Sequence, residues 1–120
     1  MDAAHIFSVI ESLNEEYCDL WETVCNMESP TDYKKGVDAV GEVFIEIARQ
    51  KRWDVEISEQ ENAGNPICIT MNSQSEESPI VFSGHIDTVY PLGSFPTPAV
   101  YRNGCTDLVS STVKAVLWLL

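Results

Sequence analysis

The chain has 120 residues, 44% of them apolar, which is about one domain with a normal share of core-forming side chains. Its formal net charge of -12 excludes nucleic acid and acidic membrane surfaces as expected partners, because phosphate-rich surfaces recruit Lys and Arg. Five of the seven basic residues, Lys34, Lys35, Arg49, Lys51 and Arg52, fall in one short region and read as a solvated helix face and its end.

In chain order, Ile6, Val9, Ile10, Leu13, Tyr17, Leu20, Trp21 and Val24 recur at three- and four-residue intervals, which predicts an amphipathic helix from about Asp2 to Val24. The segment Glu28-Ser29-Pro30-Thr31-Asp32 breaks it and offers Thr31 or Asp32 as the N-cap of a second helix, with apolar positions at Val37, Val40, Phe44, Ile47 and Ala48 and a basic last turn. Val55 and Ile57 alternate with polar residues as in a half-buried strand. Ile67-Cys68-Ile69-Thr70-Met71 and Ile80-Val81-Phe82 are near-continuous apolar runs, the last reading as a central strand. Turn formers fill 62–66 and 72–79. A final helix is expected from Ser110 to Thr112 onward through Val113, Val116, Leu117 and Leu120. It carries no stop signal, so residues 1–120 read as a truncated N-terminal portion of a larger domain.

Cys18, Cys25, Cys68 and Cys105 contain no Cys-x-x-Cys pair and read as reduced and buried or half-buried. With no basic leader and no apolar stretch of membrane-spanning length, a cytoplasmic location is the expectation. His5 reads as a surface residue.

The chemistry concentrates in Ser83-Gly84-His85-Ile86-Asp87-Thr88-Val89-Tyr90-Pro91, directly after the expected central strand. A neutral imidazole ligates a metal through one nitrogen and offers its other N–H to a carboxylate or carbonyl, which fixes the tautomer. Asp87 stands at the spacing for that role, although a bare His-x-Asp also recurs by chance. Asp107 is a second candidate, since carboxylates bridge paired divalent ions; an isolated Asp ahead of a helix more often serves as an N-cap. No Gly-x-Ser-x-Gly elbow or phosphate loop is present. Ser83, His85 and Asp87 at alternate positions of one strand cannot converge as a hydrolase triad.

The stretch from Ser83 to Pro91 resembles the Gly-His-x-Asp-Thr-Val-x-Pro signature of the zinc-dependent metallopeptidase and amidohydrolase family of acetylornithine deacetylase, succinyl-diaminopimelate desuccinylase and glutamate carboxypeptidase. The order of elements upstream, including the Ser29-Pro30-Thr31 turn and the Gly64-Asn65 turn, is similar to that family over nearly the whole chain. The resemblance implies that His85 ligates one zinc, that Asp87 is the catalytic-site carboxylate orienting it, and that Asp107 is the carboxylate bridging two ions. Around Asp107 the family pattern Tyr-Gly-x-Gly-x-x-Asp-x-Lys-Gly-Gly keeps Tyr101, Gly104 and Asp107, while Arg102, Val109, Ser110 and Ser111 depart from it. Asp107 follows His85 by 22 residues, a shorter separation than the family shows.

The fold so implied is α/β: part of a three-layer sandwich, with a mainly parallel or mixed sheet flanked by helices, amounting to the first part of a catalytic domain without its dimerisation domain. Apolar faces meant for later strands would then be exposed, which predicts aggregation, dimerisation or partial disorder of the isolated chain. The function implied is hydrolysis of amide bonds in small peptides or N-acyl amino acids. It uses two zinc ions, for which imidazole and carboxylate ligands would also accept cobalt or manganese. The family's general-base Glu and remaining ligands would lie beyond Leu120, so the chain alone is expected to be inactive, and a homodimer is open for a full-length form. The alternatives are a non-catalytic α/β remnant or interaction module that has lost the di-metal site and, resting on charge alone, an acidic interaction module unrelated to metals.

Overall fold

The computed structural model describes residues 2–94. Two helices and a two-stranded antiparallel sheet follow one another: α1 (Ala3–Cys25), α2 (Lys34–Gln50), β1 (Asp54–Ile57) and β2 (Ile67–Thr70). This is a small mixed α and β architecture. The only parallel pairing among the described residues is a single bridge between Pro30 and Thr88.

α1 begins where the sequence places it. The Asp2 carboxylate accepts a hydrogen bond from the Ala4 amide at 2.7 Å, satisfying one of the free N–H groups of the first turn. Among the described residues the C-terminal half of its apolar stripe meets the core: Val24 is fully buried, Leu20 and Trp21 pack on the core, and Ile6, Val9 and Ile10 stay exposed.

α2 departs from the expected cap. Neither Thr31 nor Asp32 caps it; the N-cap is Tyr33, without a side-chain hydrogen bond, and the Tyr33 carbonyl accepts from Gly36 and Val37. The Thr31 hydroxyl is engaged elsewhere, on the segment bearing Asp87. The helix then buries Val37, Val40, Phe44, Ile45 and Ala48. It ends in a Schellman turn, with Trp53 N–H bonded to the Ala48 carbonyl and Arg52 N–H to the Arg49 carbonyl. The left-handed position of that turn, which usually belongs to glycine, is held by Arg52 at φ 58°.

β1 and β2 pair in register from Asp54 opposite Thr70 to Ile57 opposite Ile67. Ile67 and Ile69 face the helices and pack on the core, while Cys68 between them is exposed. The apolar run 67–71 is therefore a one-faced strand rather than one buried on both sides, and Cys68 is not the buried thiol expected of it. Cys18 and Cys25 are half-buried.

Ile80, Val81 and Phe82 do not form the expected central strand. No described strand pairs with them, and they stand 83%, 81% and 61% exposed. Pro79, with no N–H to give a ladder, precedes them. Apolar character alone cannot make a strand where no partner supplies hydrogen bonds. His85 accordingly follows an exposed segment, not the end of a buried strand.

Among the described residues the central cluster of the core is Val24, Val40 and Phe44, with Leu20, Trp21, Met27, Val43, Ile67, Ile69 and Ile86 packed against it. The 57–67 loop is drawn against α2 at Gly64, where a Cβ would collide with Val37 Cγ1 and lie 2.7 Å from Val37 Cβ. Polar groups fasten the same contact. Lys34 Nζ reaches the Ala63 carbonyl (3.0 Å) and Asn65 Oδ1 (2.8 Å), and Asp38 Oδ1 accepts from Asn65 N–H at 2.8 Å. Lys34, expected on a solvated face, is thus half-buried in a loop anchor, whereas Lys35, Arg49, Lys51 and Arg52 are exposed as expected. No described helix is long and apolar enough to cross a membrane. The expected final helix, Cys105 and Asp107 lie outside the described residues.

Candidate functional site

The turn between α1 and α2 and the segment 86–88 are held side by side by hydrogen bonds from both backbone and side chains. Thr88 N–H donates to the Ser29 carbonyl at 2.8 Å, and Thr31 N–H donates to the Thr88 carbonyl at 3.0 Å. A parallel bridge of this form uses the carbonyl before Pro30 and the amide after it, so the proline at its centre forfeits no hydrogen bond. The fully buried Ser29 donates its hydroxyl to the Ile86 carbonyl at 2.9 Å, and Thr31 Oγ1 approaches the Thr88 carbonyl at 3.3 Å. Burial of Ser29 is therefore matched by a hydrogen bond, as burial of a hydroxyl requires.

Ile86 turns into the core against Phe44 and its neighbours, its Cδ1 passing over Gly41. The residues on either side, His85 and Asp87, carry the chemistry. His85 Nδ1 lies 3.0 Å from the backbone carbonyl of Asp87 and 3.3 Å from Asp87 Oδ1. A carbonyl oxygen can only accept, so Nδ1 carries a proton and the neutral imidazole has its lone pair on Nε2. Among the described residues Nε2 has no hydrogen-bond partner, and the side chain is 62% exposed. That arrangement matches a histidine prepared to ligate through Nε2.

The second oxygen of Asp87, Oδ2, accepts from the Thr31 hydroxyl at 2.6 Å, the length of a hydroxyl bonded to an ionised carboxylate. This bond is the main cause holding the Asp87 carboxyl below its ordinary value. Partial burial opposes it, and the residue's own N–H and the nearby imidazole add to the lowering. The neighbouring loop is fastened by Glu28, whose Oε1 accepts from Gly93 N–H at 2.7 Å.

Of the three residues read from sequence, His85 and Asp87 are brought together as expected, and Asp107 lies outside the described residues. The sequence marks Ser29 only as a turn residue and Thr31 only as a turn or cap residue; their contacts to the site span more than 50 positions, for which no local pattern gives a signal. The described residues contain no group of three or more His, Cys, Asp or Glu side chains able to hold a metal ion. The donor His85 therefore fits one place in a zinc shell, and the described residues do not complete it. A shallow groove on α1, lined by Asp19, Glu22, Thr23 and Asn26, contains none of these residues.

No family model matches the sequence, and no curated protein or solved structure matches it.

Proposed function

We propose that the chain contributes the first zinc ligand and its orienting carboxylate to a hydrolase of amide bonds in small peptides or N-acyl amino acids, of the kind formed by acetylornithine deacetylase and its relatives. The observation that carries this reading is the state of His85, with Nδ1–H held by Asp87 and Nε2 without a partner among the described residues. The motif running from Ser83 to Pro91 supports it. In the same reading α1, α2 and the β1–β2 hairpin belong to a three-layer α/β domain whose sheet is mainly parallel or mixed.

Each residue has a definable task. Asp87 keeps the proton on Nδ1 and balances the charge of an imidazole that has given its lone pair to a cation. His85 supplies that lone pair, and Asp107 is the second ligand. A zinc ion held by these residues would supply a water of lowered pKa and a Lewis acid for a substrate carbonyl.

Calorimetric titration of the full chain with zinc, repeated with cobalt and followed by the visible absorption of the bound ion, tests the ligand assignment. The expected result is stoichiometric binding that is abolished in His85→Ala and weakened in Asp107→Asn. Absence of binding, or binding indifferent to His85→Ala, overturns the proposal. Since the described residues bring together a single imidazole, that second outcome favours a non-catalytic α/β module that keeps the His85–Asp87 pair for structure alone.

A further inference from the structure

We infer that Thr31 is a positioning residue for His85: its hydroxyl, acting through the Asp87 carboxylate, holds the imidazole in the tautomer that presents a bare Nε2. Its functional meaning rests on the metal-hydrolase reading above, whereas the hydrogen-bond relay itself does not.

The sequence offers Thr31 an obvious task, capping α2, and the fold does not use it for that. The cap is Tyr33, and no side chain bonds the first turn. The Thr31 hydroxyl has one proton and two acceptors within reach, Asp87 Oδ2 at 2.6 Å and the Thr88 carbonyl at 3.3 Å. The shorter contact, to a charged acceptor, takes the proton.

What this bond contributes follows from the torsional freedom of aspartate. The χ2 of an Asp side chain is broad and roughly two-fold, so nothing within Asp87 decides which way its carboxylate plane faces. Bonding Oδ2 to a fixed donor decides it, and Oδ1 is left 3.3 Å from Nδ1 of His85. The donor is fixed in turn. Thr31 N–H is bonded to the Thr88 carbonyl, Pro30 restricts the backbone on its N-terminal side, and Tyr33 N–H is bonded back to the Pro30 carbonyl. Position is thus relayed from the backbone of the interhelical turn to a hydroxyl, a carboxylate and an imidazole. The last of these is mostly in water and has little packing of its own to orient it.

The test reads the tautomer directly, by long-range proton–nitrogen correlation spectra of the full chain labelled at histidine, at a pH where the imidazole is neutral. His85→Ala assigns the signals against those of His5. Wild type and Thr31→Ser, which keeps the hydroxyl, are expected to show His85 with its proton on Nδ1. Thr31→Val, close to threonine in shape but without the hydroxyl, is expected to move it toward the Nε2–H form, with circular dichroism unchanged. An unchanged spectrum in folded Thr31→Val means that the Asp87 backbone carbonyl suffices to hold the ring, and overturns the inference. Asp87→Ala decides the matter independently should Thr31→Val not fold: it is expected to produce the same tautomer shift, and an unaltered ring in that variant overturns the relay. In the double variant the two changes should produce no more than either alone, because they break one chain of contacts.

Zinc titration of the same samples separates this inference from the reading beneath it. A tautomer shift together with a loss of about 10-fold in zinc affinity supports both. A tautomer shift in a chain that never binds zinc supports the relay and removes the metal. Zinc binding that Thr31→Val leaves untouched, with the tautomer unaltered, keeps the metal and overturns the role of Thr31.

Discussion

Asp38 supplies the sharpest test of how the 57–67 loop is fastened to α2. Its Oδ2 meets Lys34 Nζ at 2.8 Å one helical turn earlier, and its Oδ1 accepts from Asn65 N–H at 2.8 Å. The two side chains of the ion pair are 32% and 29% exposed, so the pair itself is worth about 0.3–0.5 kcal/mol, as for other helical i,i+4 pairs. The bond from a backbone N–H to a charged acceptor adds about 1.5 kcal/mol. Asp38→Ala, which removes both, is expected to lower the unfolding free energy by about 2 kcal/mol. Asp38→Asn, which keeps an acceptor for Asn65, is expected to cost about 1 kcal/mol. The pH dependence has a defined sign. The Lys34 hydrogen bond and then the Asn65 N–H hold the Asp38 carboxyl below its ordinary value of 3.8 against some desolvation. A carboxyl with a lowered folded-state pKa stabilises fully above its unfolded value, and that contribution is lost as pH falls through 3.8 toward the folded value. Urea denaturation of wild type and Asp38→Asn should therefore show a gap at neutral pH that narrows as the pH falls below 3.8. A gap of undiminished size in acid refutes the electrostatic account and assigns the cost to shape.

Two further predictions concern backbone geometry. Arg52 holds a left-handed conformation at φ 58° that costs a side-chain-bearing residue about 1–2 kcal/mol, partly offset in the unfolded chain by the greater freedom of glycine, so Arg52→Gly should raise stability by about 0.5–1 kcal/mol. A loss of stability in thermal or urea denaturation contradicts that. Gly64→Ala should cost about 1–3 kcal/mol by overpacking the loop against Val37, and the same substitution made in a Val37→Ala background should cost clearly less. Strictly additive costs would show that the loop does not rest on Val37.

The helices were legible because burial there follows period, with Val37, Val40, Phe44 and Ala48 tracing one helical face; β1 and β2 were legible as strands, but their antiparallel pairing and the exposure of Cys68 between Ile67 and Ile69 were not. The His85–Asp87 contact was legible for a similar reason, since a two-residue spacing lets one side chain reach the other. What failed depended on partners that no local pattern contains. Thr31 or Asp32 ahead of a helix reads as its N-cap, yet the Thr31 hydroxyl found a charged acceptor 56 residues away. Ile80-Val81-Phe82 has the composition of an interior strand and no described strand beside it. Lys34 sat in a basic region expected to face water, and the nearby loop carbonyl and Asn65 drew it in. Arg52 gave no glycine signal for the turn it makes, because the Schellman bonds there outweigh the strain of the residue that closes it.

The order in which the candidate site is constrained has a consequence for how it would work. Ile86 is held by the core, and Thr88 is held by the bridge to Ser29 and Thr31, so the backbone of Asp87 is fixed on both sides. Its carboxylate is then set by a single hydroxyl, and the imidazole by a single residue. Constraint therefore weakens outward, from buried Ser29 to a His85 ring mostly in water. A ring so placed has its tautomer chosen by the protein and its final orientation left to whatever approaches Nε2. In the proposed reading, a cation entering there would meet the Nε2 lone pair. Substitutions inside the bridge, at Ser29 or Thr88, act on where His85 stands, while those at Thr31 or Asp87 act on which nitrogen it offers.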